Sequence, residues 1–193
     1  MSKKSSNVIK FNTDSVENNF LLNEFASPFY KGGILWQSAI QYIAYAMLNT
    51  KGMDKKQVVH NNALRAKITS AFDPFKCRYF LTKKGLETNS AELRQDADAV
   101  YGKILRMAVS SKFGQNPMLL SLLTQTGDAT IVYDNAYDAV LGSGRDGKGE
   151  NKLGKALMKF RDDIMNEYTL KEPTDVFDVC AAVCEHILKG EDK

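Results

Sequence analysis

The chain of 193 residues has one tryptophan, four prolines, three cysteines and two histidines. An odd cysteine count with no paired spacing argues against a disulfide scaffold and for a reducing compartment. Cys180, Cys184 and His186 stand close together in sequence. The two cysteines share a helix face at i and i+4, but His186 points elsewhere and no fourth ligand lies nearby. The thiols read as small buried hydrophobes, and neither metal nor cofactor is expected. His60 stands among polar residues and lacks the support a catalytic base needs. No apolar run approaches the roughly 20 residues of a membrane span, and none follows Met1-Ser2-Lys3-Lys4. A soluble cytoplasmic protein without a signal peptide or membrane contact is the expectation. Charge of one sign is also lacking. Lys+Arg number 26 against Asp+Glu 23, and the net charge of +3 is too small to establish nucleic-acid binding. A local patch matters more than the total.

What remains is globular in character, at 44% hydrophobic and 25% charged residues, without internal repeats or low-complexity tracts. The length suits one well-buried core. Residues 1–19 form a polar extension whose β-prone Val8–Phe11 suits an edge strand. Phe20 to Leu35 reads as loop and short strand around Pro28 and Gly32-Gly33. Helical spacing runs from Gln37 to Leu48 with Ser38 as cap, and again from Val58 to Phe72 up to Asp73-Pro74. Phe75–Tyr79 suits extended backbone and 83–90 a linker. Ala91 to Lys112 has one apolar face and reads as a long helix. Pro117 opens a further helix after Asn116, and Gly127 closes it. Thr130–Tyr133 is a strand, Lys152–Tyr168 a helix, and Pro173 opens a final amphipathic helix to about Leu188. The fold class is α+β and predominantly helical.

The densest chemistry lies between Lys112 and Arg161. There a glycine-rich loop with several carboxylates, DNAYDAVLGSGRDGKGEN, joins the strand to the helix. Such a loop can bring backbone N–H groups to a phosphate ester. Gly142 and Gly144 would line it, while Arg145 and Lys148 supply positive charge. Asn151 suits either a ribose hydroxyl or the cap of the next helix. Lys112 suits either a phosphate or the carbonyls at its helix end. Trp36 suits base stacking or a core position. Basic residues from Lys51 to Lys84 interleave with Phe72, Phe75, Tyr79 and Phe80, a pattern that fits a single-stranded nucleic-acid surface or a solvated face.

The order KF-x-QNP-x-L-x-x-LL-x-TG, then I-V, Asp138, Gly142, Gly144, Gly149, Asn151, and LG-x-x-LM-x-x-R ending at Arg161 resembles the NADAR family. That family includes N-glycosidases of the YbiA type and is named for its link to NAD and ADP-ribose. Leu22–Phe29 is similar to the family's LSNF-type start, Trp36 and Tyr42 to its W-x-T-S-E-H-Y segment, and Arg94 to an arginine before its central helix. The resemblance covers roughly 20–168 as one NADAR-like domain, leaving 169–193 as a C-terminal helix. The glutamate and histidine of the family's SEHY motif fall on Ile40 and Gln41, with Gln41 in a ligand-binding place. The acidic residue after the strand falls on Tyr133, and the W-G-D-G tryptophan and aspartate fall on Leu141 and Ser143.

The resemblance implies cleavage of an N-glycosidic bond at ribose C1, with carboxylates stabilising an oxocarbenium-like transition state. Glu24, where the family commonly has asparagine, and the retained Asp138 are the expected catalytic pair. Either residue is also open to a plainer reading, Asp138 as a helix cap or solvent-facing charge and Glu24 as a surface charge. The implied substrate is ADP-ribosylated guanine in DNA, with ADP-ribose as product or ligand, and a phage counter-defence against an ADP-ribosylating toxin is one setting. Two alternatives accompany it. One is an N-glycosidase on a riboflavin-pathway intermediate, and the other is a module that binds ADP-ribose without cleaving it.

Overall fold

The computed structural model describes residues 7–168 together with Asp178, Ala181 and Ala182. Apart from Asp178, Ala181 and Ala182, the expected final helix from Pro173, with Cys180, Cys184 and His186, lies outside these residues. The protein is α+β with helix predominant, as its sequence pattern anticipates, and it divides into two compact units. One comprises residues 1–22 and 113–193, the other Asn23–Lys112.

In the first unit, β1 (Val8–Phe11) pairs in parallel with β4 (Thr130–Tyr133), in the register Val8↔Thr130 to Phe11↔Tyr133. Val8–Phe11 is thus the strand that its β-prone residues anticipate. The Phe11 and Tyr133 rings stack at 5.3 Å between centroids. The other edge of β4 is closed by one side chain. Asn151 Oδ1 accepts from Tyr133 N–H at 3.0 Å, and its Nδ2 donates to Ile131 C=O at 2.9 Å. A primary amide offers one donor and one acceptor side by side, so it replaces two rungs of a missing strand. Asn151 holds this position at φ +51°, in the left-handed region that asparagine tolerates better than most residues.

The helix that follows, α7 (Lys152–Tyr168), then passes close to the strand. A Cβ on Gly154 would stand 2.2 Å from Ile131 O and 2.5 Å from Asn151 Nδ2. Buried Arg161 on the same helix donates through Nη1 to Thr126 Oγ1 at 2.9 Å and Ala129 O at 2.8 Å, tying down the chain that enters β4. The short helix α6 (Pro117–Thr124) starts at proline as expected, although Asn116 makes no side-chain cap bond.

The second unit opens with a hairpin of β2 (Phe29–Lys31) and β3 (Ile34–Trp36). Gly32 and Gly33 form its two-residue turn at φ +59° and +71°, the double left-handed geometry of a type I′ hairpin. Helix α1 (Ala39–Met47) begins at Ser38, whose side chain accepts from Gln41 N–H. It packs with α2 (Lys55–Thr69) and α3 (Pro74–Phe80) around Ile40, Ala44, Leu64, Ile68, Cys77 and Phe80.

Three expectations fail here. Residues 75–79 are helical because Asp73 caps α3 by accepting from Phe75 N–H, with Pro74 in the first turn. Much of the expected linker is α4 (Lys83–Thr88), capped by Thr82. The long helix α5 runs Ala97–Gly114 and not from Ala91. Residues 91–94 are held out of it by tertiary bonds, among them Ala91 N–H to Leu86 O, Glu92 N–H to the buried Asn61 Oδ1, and Arg94 N–H to Met47 O.

Gly154→Ala is expected to destabilise the protein by about 3 kcal/mol, because the added methyl meets backbone that cannot rotate aside. Urea unfolding measures this, and a loss below about 1 kcal/mol would show that α7 can lift from β4 without penalty.

Candidate active site

Glu24 lies in the irregular segment between the 3-10 turn at Asn19–Leu21 and the hairpin. The segment is pinned at both ends, with Ile40 N–H donating to Asn23 O at 2.9 Å and Ser27 N–H to Gln37 O at 3.0 Å. Its carboxylate is buried, with 7% of the side chain exposed, and Oε1 accepts from Arg78 Nη1 on α3 at 3.1 Å. Glu24 is therefore not the surface charge of the plainer reading. Sequence reasoning did not single out Arg78, because its partner is 54 positions away.

Lys112, at the end of α5, is 1% exposed, and its Nζ lies 5.4 Å from the centroid of the Phe25 ring. Burial pushes its pKa down to about 7, while the negative charge of Glu24 pulls it back up. A lysine so placed exchanges protons near neutrality, which exposed lysines do not. Lys112 thus belongs with buried Glu24 and the half-buried Phe25 and Arg78 in one cluster of the second unit. The expectation of a contact with helix-end carbonyls did not reveal it.

The remaining residues of the expected site have other occupations. Trp36 is buried, its Nε1 donates to Lys31 O at 3.0 Å, and Tyr42 and Tyr45 cover it at 5.6 and 5.0 Å between ring centroids. A base has no face of it to stack on. Gln41 is spent on backbone, with Oε1 accepting from Gln37 N–H at 2.7 Å and Nε2 donating to Ile68 O and Ala71 O at the end of α2. Ile40, which the sequence resemblance sets against the family glutamate, joins the apolar core beside Leu64 and Ile68. A carboxylate there would be buried among hydrocarbon.

The glycine-rich loop of the first unit departs most from expectation. The N–H groups of Gly142, Ser143, Gly144, Gly149, Glu150 and Asn151 all bond to carbonyls of the loop or of Tyr133. A phosphate cradle needs such donors unspent. The glycines permit backbone crossing instead: a Cβ on Gly149 would lie 2.3 Å from Gly142 O, and one on Gly142 would lie 2.8 Å from Tyr133 O. Asn151 is committed to β4, as described. Arg145 and Lys148 are exposed at the tip, where their charges remain available to a phosphate. Asp138 Oδ1 accepts from Val140 N–H at 3.0 Å and Leu141 N–H at 2.7 Å, so it caps the 138–141 turn. Asp134, beside it, accepts from Ser143 Oγ at 3.1 Å. Among the described residues no group of His, Cys, Asp and Glu could hold a metal ion. No described helix is long and apolar enough to cross a membrane.

The NADAR domain matches residues 5–165. The chain belongs to the NADAR family. It is 37% identical over 78 residues to N-glycosidase YbiA of Escherichia coli strain K12, a match covering 40% of this chain and 49% of that protein. It is 32% identical over 73 residues to the riboflavin biosynthesis protein PYRR of Zea mays, covering 38% of this chain and 12% of the maize protein. The chain thus spans about half the length of the YbiA relatives it matches. The solution NMR structure of E. coli YbiA superposes with a TM-score of 0.66 at 25% identity, covering 86% of this chain and 90% of that one. This NADAR protein therefore keeps the family scaffold with Ile40 and Gln41 built into its core.

Asp138→Ala is expected to lower unfolding stability by about 1–2 kcal/mol by orphaning two N–H groups, whereas Asp138→Asn, which retains Oδ1, changes it little. Thermal unfolding of both variants checks this. An Asp138→Ala protein as stable as the parent would remove the turn-capping role.

Proposed function

We propose that this NADAR protein is an N-glycosidase that hydrolyses the bond between ribose C1 of ADP-ribose and a guanine nitrogen in DNA. Water adds at C1 as the C1–N bond breaks. The electron pair of that bond passes to the nitrogen, which takes a proton, and ADP-ribose leaves the restored base. The cluster of buried Glu24 and Lys112 with half-buried Arg78 carries this reading. A carboxylate screened from water is suited to stabilising positive charge at C1 and to receiving a proton from the attacking water. Lys112, with a pKa near 7, has a substantial protonated fraction at neutral pH and supplies the proton for the departing nitrogen. Arg78 orients Glu24. Asp138 is assigned to the turn and not to the chemistry. Removal of ADP-ribose from DNA would counter an ADP-ribosylating toxin, and a phage acting in its host's cytoplasm is the setting we assign to it.

The names of the relatives favour a second reading, an N-glycosidase on a small riboflavin-pathway intermediate. The burial of Ile40 favours a third, a module that holds ADP-ribose without cleaving it. Incubating the protein with ADP-ribosylated guanine DNA, with the riboflavin intermediate and with ADP-ribose separates the three. Product from the DNA is expected. A thermal shift with ADP-ribose and no product from either substrate would leave only the binder.

Glu24→Gln and Lys112→Met are each expected to slow ADP-ribose release at least ~100-fold, the scale of lost acid–base assistance. Chromatographic assay of released ADP-ribose measures it, and parental rates in both variants would refute the assignment.

A further inference from the structure

The solvent side of α3 carries a pattern that the core does not use. At about 100° per residue, Arg78, Phe75, Tyr79 and Lys76 follow one another around a single arc, each about 40–60° from the next. Cys77 and Phe80 occupy the opposite side and are buried. Phe75 is 54% exposed and Tyr79 39%, while Phe72, just ahead of the helix, is 90% exposed. Two partly exposed aromatic rings thus lie between exposed Lys76 and half-buried Arg78, which is paired with Glu24. Lys67 near the end of α2 and Lys83 and Lys84 at the start of α4 are exposed as well. From Arg65 to Lys84 the basic residues are Arg65, Lys67, Lys76, Arg78, Lys83 and Lys84, and the one acid is Asp73. Asp73 is engaged as the cap of α3, and Glu87 further along faces Lys83 at 3.9 Å.

An apolar protein partner would cover the rings but would have to desolvate the flanking cations. A duplex would satisfy the cations but keeps its bases away from the rings. A single strand satisfies both, with phosphates on lysines and unstacked bases on aromatic faces. We propose that α3 is a stacking platform for single-stranded nucleic acid, with Phe75 and Tyr79 under bases and Lys76 on the backbone. Arg78 closes one end of the arc, and its Nη1 holds Glu24. The strand therefore passes beside the buried carboxylate, and a base already out of a helix is the form such a site can reach. This last step rests on the glycosidase reading; the platform itself does not.

Fluorescence anisotropy with a labelled oligothymidylate tests the platform on the full chain. The parent protein is expected to bind it more tightly than a duplex of equal length. Phe75→Ala/Tyr79→Ala should weaken binding at least about tenfold, and Phe75→Trp/Tyr79→Trp should restore it. Lys76→Gln/Lys84→Gln should flatten the dependence of affinity on salt. No binding by the parent, preference for duplex, or undiminished binding by the alanine pair would overturn the proposal. Release of ADP-ribose from modified guanosine, assayed alongside, separates the two claims. Oligonucleotide binding without release removes the glycosidase and leaves the platform. Release with undiminished binding by the alanine pair removes the platform and leaves the glycosidase.

Discussion

A lysine side chain with almost no access to water sits at the end of α5, and the second unit's chemistry is organised around that constraint. An isolated buried ammonium is costly, so the group either loses its proton or acquires an anion. Lys112 does part of each: burial lowers its pKa to about 7, and Glu24 limits the fall. Glu24 is itself buried and is oriented by Arg78 from α3. Two buried ionisable groups and the half-buried Arg78, from distant stretches of sequence, thus act on one another.

The first unit is built on a different economy of contacts. Among the described residues its sheet has two strands, too few to satisfy its own edges, and the amide of Asn151 closes one of them. Gly154 lets α7 come within reach of the same strand, and Arg161 ties that helix to the turn before β4. The family's G-x-N and LG motifs therefore have a mechanical meaning in this protein. They fasten a loop and a helix to a short strand.

Elements governed by local rules were legible in the sequence: α1 with its Ser38 cap, the Gly32-Gly33 turn, β4, and the span of α7. Those decided by distant partners were not. The periodicity of 91–112 gave no sign that Asn61 and Met47 would hold residues 91–94 outside the helix. In the candidate site, Glu24 and Lys112 stood out by motif position, but the function of their surroundings did not. Trp36, Gln41, Asn151, Gly142 and Gly144 have residue types that suit ligands equally well as backbone, and only the bonds they make distinguish the two. Arg78 stood only within the basic run, and nothing local marked it as the partner of Glu24, 54 residues away.

Titration of Lys112 by NMR, in the parent protein and in Glu24→Gln, tests most directly whether these groups form one electrostatic unit. The account requires a Lys112 pKa near 7 in the parent and a lower one once the Glu24 charge is removed, because burial then acts unopposed. A value near 10.5 that the Glu24 substitution leaves unmoved would contradict it.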